Sequence, residues 1–124
     1  MRLEYYSFQG FENIYLEYSF VLKIISTKTL AEFLVEIILT KNHPLYSKPK
    51  PKEAYCYKKA IISFPKIENI VWVEVNICPS IDANNEADFG NIDSFFYEDN
   101  FYNISGDWGE VKIQSQSPTI KFID

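Results

Sequence analysis

The chain has 124 residues, a formal charge of −5, two cysteines and 17% aromatic residues. That length can bury a core without disulfides or metals, and it is too short for most multi-domain enzymes. A single domain over 1–124 is the expectation, and aromatic wealth with little alanine favours strand over helix.

The N-terminal twenty residues carry acidic groups where a secretory leader needs an apolar run. No stretch approaches the roughly 20 apolar residues of a membrane helix. A cytoplasmic protein with no membrane partner is the expectation. Cys56 and Cys78 fit no zinc or CxxC spacing, so both read as small buried groups.

In chain order, "YLEYSFVLKII" alternates. It puts Leu16, Tyr18, Phe20, Leu22 and Ile24 on one face, and Glu17, Ser19, Val21 and Lys23 on the other. "STKT" is a turn. "LAEFLVEIILT" supports two readings. Leu30, Phe33, Leu34, Ile37 and Ile38 form a helical stripe, with Thr29 and Glu32 as a capping box. Phe33, Val35, Ile37 and Leu39 also alternate against Glu32, Glu36 and Thr40. The run is short and β-branched, and the reading adopted is a strand that makes a hairpin with its predecessor.

"NHPLYSKPKPKEA" is a loop, because its three prolines cannot enter a sheet interior. "YCYKKAIISF" and "IENIVWVEVNIC" are two strands. The second places Val71, Val73, Val75 and Ile77 on one face, and Trp72 with Glu68, Glu74 and Asn76 on the other. "PSIDANNEADFGN" is a long polar loop. "IDSFFY", "FYNIS" and "WGEVKI" form a meander, turning at Glu98-Asp99-Asn100 and at Gly106-Asp107, with Val111 and Ile113 inward. "TIKFI" closes the chain. About eight short strands with little helix predict an all-β, mostly antiparallel sandwich or barrel-like roll.

Few residues carry recognisable chemistry. The lone His43 has no nucleophile motif beside it and reads as a turn residue. Asp82, Asn84, Glu86, Asp88 and Asp93 take oxygen-donor positions of a twelve-residue calcium loop. Ala87 stands where that loop needs glycine, and Asp93 where it needs the longer glutamate. No catalytic residue, cofactor or metal is therefore assigned.

Charge is unevenly spread. No Lys or Arg stands between Lys66 and Lys112. Such a segment repels nucleic acid and attracts basic surfaces. If Val111 and Ile113 point inward, Trp108 shares a wet face with Glu110 and Lys112. The expected partner-binding residues are Glu98, Asp99, Asp107 and Glu110, with Trp108 as apolar anchor. The competing reading is that a second layer or the proline loop covers Trp108 and Trp72.

The succession "YLEYSFVL", "HPLYSKPKPKEAYCY", "DFGNIDSF" and "GDWGEVKIQSQSPTIKF" resembles a widespread set of small bacterial all-β proteins of uncharacterised function. The resemblance implies the fold and brings no activity. In size and charge the chain is also similar to immunity proteins, which neutralise basic nuclease toxins. The leading expectation is an acidic protein-binding module, in its concrete form an immunity or inhibitor protein that blocks a basic partner. A small-ligand or carbohydrate-binding β-module with an aromatic cleft is the alternative, and a carboxylate-based enzyme the second. A homodimer is compatible with each.

Overall fold

The computed structural model describes residues 1–76, 80–81 and 87–123. Its strands in chain order are β1 (Leu3–Glu4), β2 (Ile14–Ser26), β3 (Ala31–Leu39), β4 (Cys56–Phe64), β5 (Asn69–Val75), β6 (Ser80–Ile81), β7 (Ala87–Asp88), β8 (Ile92–Glu98), β9 (Phe101–Gly106), β10 (Gly109–Gln114) and β11 (Thr119–Phe122). The one helical element among the described residues is a 3₁₀ turn at Tyr5–Ser7. Nine strands make two antiparallel sheets, ordered β1-β8-β9-β10-β5 and β11-β4-β3-β2, and β6 and β7 pair as a small ribbon. The protein is all-β and sandwich-like, with open sheet edges and no closed barrel.

The 30–40 segment is not helical; Ala31–Leu39 of it is strand. Ala31, Phe33, Val35, Ile37 and Leu39 are all buried, as their alternation requires. The Thr29 side of the capping box is absorbed by a turn, where Thr27 Oγ1 accepts from the N–H groups of Thr29 and Leu30 at 3.2 and 3.0 Å. A helix would bury one stripe of this run. The strand buries every second residue against the facing sheet.

The β8–β9 hairpin is also as expected. Asp99 and Asn100 have φ of 53° and 72°, the two positive values of a type I′ turn between β8 and β9. The core lies between the sheets. Phe33, Phe64 and Val35 from one side meet Phe95, Ile104 and Val111 from the other. Phe95 touches Phe64 edge-on, with centroids 5.8 Å apart.

Three facings differ from the sequence reading. In β2 the pairing with β3 slips between Tyr15 and Phe20 and again between Val21 and Lys23. Each bulge shifts the alternation by one residue. Leu16, Ser19 and Val21 are buried, while Tyr18 and Phe20 point outward. In β5 the valines are outside, with Val71, Val73 and Val75 exposed by 45, 54 and 62%, and Ile70 and Trp72 turn inward. The register explains this second case, since Val111 and Ile113 of β10 lie opposite Trp72 and Ile70. A tryptophan and an isoleucine bury more apolar area than the valines would.

The third correction concerns Trp108, which is fully buried. The β9–β10 turn falls at Asp107-Trp108, one residue later than expected, and Gly109 has φ +134°. The strand alternation therefore restarts after Trp108, and the indole folds back into the core. It packs on Phe33 at 5.2 Å and edge-on to Trp72 at 5.9 Å, and its Nε1–H donates to the Asn91 carbonyl at 3.1 Å. Trp108 is not a surface anchor.

Candidate functional site

The acidic residues singled out in the sequence do not gather into one patch. Glu98 and Asp99 stand at the β8–β9 turn, and Asp107 at the β9–β10 turn. These are opposite ends of β9, roughly 20 Å apart for six extended residues. Glu110 lies across from Ser105, in a row with Glu74 on β5. Between that row and Glu98 runs another, formed by Phe96, Asn103 and Lys112. The Arg2 guanidinium sits over the Phe96 ring at 3.6 Å. Two cations thus interrupt the outer face of this sheet.

The other sheet carries a different feature. Tyr15, Tyr18, Phe20 and Tyr55 are 39, 59, 40 and 45% exposed, and they line two adjoining clefts that share Tyr18 and Tyr55. The first cleft, about 440 Å³, runs under the proline loop between Tyr15, Tyr46, Pro49 and Lys41, with Ile38 and Cys56 in its wall. The second, about 640 Å³, is bounded by Tyr18, Phe20, Tyr55, Tyr57, Asn91 and Asp107. Together they form one aromatic groove. Contiguous exposed rings of this extent mark a binding surface more often than a bare solvated face.

Local structure builds the groove. The first bulge of β2 turns Tyr18 and Phe20 out of the core, and Ser19, buried in their place, donates Oγ–H to the Tyr15 carbonyl at 2.8 Å. Tyr15 and Tyr18 then stack with centroids 5.4 Å apart and planes 30° from parallel. On β4, Tyr57 lies 6.0 Å from Phe20 and meets Tyr55 edge-on at 6.2 Å. The proline loop is held by successive turns, with His43 N–H donating to Thr40 O and Tyr46 N–H to His43 O, both at 3.0 Å. His43 Nδ1 accepts from Leu45 N–H at 3.0 Å, so the lone histidine has the turn role its neighbours suggested.

The far wall comes from the segment that joins the two sheets. Val21 N–H donates to Gly90 O, and Phe89 N–H to Val21 O, each at 2.8 Å. Gly90 has φ +96°, and a side chain there would meet the Asp107 carboxylate. Only glycine lets this segment lie against the β9–β10 turn and leave Asp107 at the mouth of the groove.

Electrostatics keep the phenols protonated. Loss of solvation, reinforced by Glu17, raises the Tyr15 hydroxyl above its ordinary value. Partial burial, then Glu36, raises Tyr57 likewise. Both remain hydrogen-bond donors well above neutrality. Among the described residues no three His, Cys, Asp or Glu side chains converge as a metal site would need. Among the described residues, no pair of carboxylates lines either cleft of the groove. Residues Asp82 to Glu86 of the twelve-residue calcium-like loop lie outside the described residues, as does Cys78. Cys56 is a buried free thiol.

The sequence reading missed the groove because it spent the aromatic residues of β2 on the core. One signal was available. Ser19 interrupts an otherwise aromatic and aliphatic strand, and a small polar residue there suits a bulge. Comparison of the chain with models of known protein families, with curated proteins and with solved structures gives no match. No helix among the described residues is long and apolar enough to cross a membrane.

Proposed function

We propose that the protein is a binding module for a basic protein partner, and that the partner docks in the tyrosine groove and not on the outer face of the β8–β10 sheet. The observation that carries this reading is the groove itself, two adjoining clefts lined by four half-exposed rings with a carboxylate at one end. Tyrosine gives a large contact area at little conformational cost, and its hydroxyl tolerates both water and partner. The charge of −5 supports a basic partner by favouring its approach. On this reading the protein acts by covering a partner surface, as an inhibitor or immunity protein would. The expected residues Glu98, Asp99 and Glu110 contribute field, and Asp107 contributes contact.

The stacked pair of Tyr15 and Tyr18 favours a second reading, a carbohydrate lying flat on the rings. The charge of −5 favours a basic protein and gives a neutral glycan nothing, which is why the protein partner stands first.

Affinity capture from host extract with matched variants tests the proposal. Tyr18→Ala with Tyr55→Ala should lose the retained partner. Glu98→Lys with Glu110→Lys should retain it, with slower association. A partner lost only by the second pair would move the docking surface to the other sheet. Saturable binding of an unbranched glucose or N-acetylglucosamine tetramer, with no retained protein, would favour the carbohydrate.

A further inference from the structure

The larger cleft of the groove has a composition that the smaller lacks. Four aromatic side chains, Tyr18, Phe20, Tyr55 and Tyr57, share it with the Asp107 carboxylate. Among the described residues no lysine or arginine lines it, although the adjoining cleft includes Lys41. Arg2 pairs with Glu4 on the opposite sheet, and among the described residues no ion pair engages Asp107. Asp107 is exposed at the cleft mouth, and its backbone is fixed, with Asn76 Nδ2–H donating to Asp107 O at 3.2 Å.

We infer that this cleft is a receptor for a single basic side chain, an arginine of the docking partner, whose guanidinium lies among the aromatic rings and pairs with Asp107. Ring faces attract cations through their quadrupole, and a guanidinium also stacks flat on them. The same molecule already uses the interaction, since Arg2 sits over Phe96. A carboxylate fixed at the rim adds a charge-assisted hydrogen bond with directional demand. A neutral side chain of the same shape would fill the cleft and satisfy neither attraction.

The inference rests on the groove as docking surface, and the experiment separates the two. The short peptide acetyl-Gly-Arg-Gly-amide is titrated into labelled protein while backbone amide shifts are followed, beside the isosteric peptide with neutral citrulline. The arginine peptide should shift the amides of Tyr18, Tyr57, Gly90 and Asn91 saturably. The citrulline peptide should bind at least about fivefold more weakly. Asp107→Asn should narrow that difference, and added salt should weaken only the arginine peptide. Unchanged amide shifts elsewhere would show that the variant stays folded. Equal binding of both peptides in the groove would overturn the arginine receptor and leave the docking surface standing. No saturable shift in the groove, or shifts confined to the Glu98–Asp99 turn, would overturn both. Tighter binding of a glucosamine tetramer than of the arginine peptide would assign the cleft to a cationic glycan and also overturn the inference.

Discussion

Ser19 donates its hydroxyl hydrogen to the carbonyl of Tyr15 at 2.8 Å, and the groove depends on that bond. The bond closes the bulge that buries a serine and turns Tyr18 and Phe20 into solvent. Had β2 kept its register, those two rings would lie in the core and the sheet would present Ser19 and Val21 outside. A core-packing position has been exchanged for a surface of stacked rings.

Removing the bond should cost both stability and shape. Ser19→Ala should destabilise the fold by about 1 kcal/mol, the net worth of one hydrogen bond. Chemical denaturation measures that, and amide shifts of 15–20 should report a rearranged bulge. Ser19→Val should cost more, because a larger side chain must fit a fully buried site.

Trp108 should behave as a core residue. Trp108→Ala removes the contacts to Phe33 and Trp72 and leaves the Asn91 carbonyl without its donor. The expected loss is about 3–5 kcal/mol, against roughly 0.5 for an exposed position. Denaturant midpoints of wild type and variant decide between them. Trp108→Phe should recover part of the loss but not the hydrogen bond.

Two groups set the pH limits. Burial lowers the His43 pKa, so the unfolded chain takes up a proton first as pH falls below about 6.5. Stability should therefore fall from neutrality towards pH 5.5, and His43→Asn should flatten that slope. At the other limit, burial holds the Tyr5 hydroxyl well above its ordinary value while it donates to Glu17 at 2.9 Å. The unfolded chain loses this proton first, so stability should fall as pH rises beyond about 10. Tyr5→Phe should reduce that alkaline loss. Thermal melts across both windows give the comparison.

Strand identity was legible in the sequence because period-two patterning and turn chemistry are local. Ala31–Leu39 buries its alternate residues as written, and Asp99-Asn100 supplies the positive φ values its turn needs. Facing was not legible where register intervened. The valines of β5 alternate cleanly, yet Ile70 and Trp72 occupy the inner face because they lie opposite Ile113 and Val111. Trp108 was misplaced by a one-residue shift of its turn, and Tyr18 and Phe20 by a bulge. Each error is a phase error, and a phase is fixed by pairing with strands distant in sequence. The groove was invisible for the same reason, since it assembles from β2, β4, the proline loop and the Gly90–Asn91 segment.

The docking surface is tested most directly by its own tyrosines. Tyr6 and Tyr18 are equally accessible, at 58 and 59%, but Tyr6 lines neither cleft of the groove. Nitration of exposed phenols, read residue by residue by mass spectrometry, is run with free protein and with the captured complex. The proposal predicts protection of Tyr15, Tyr18 and Tyr55 in the complex, with Tyr6 modified as fast as before. Unchanged nitration of all three groove tyrosines in a complex that persists would contradict it.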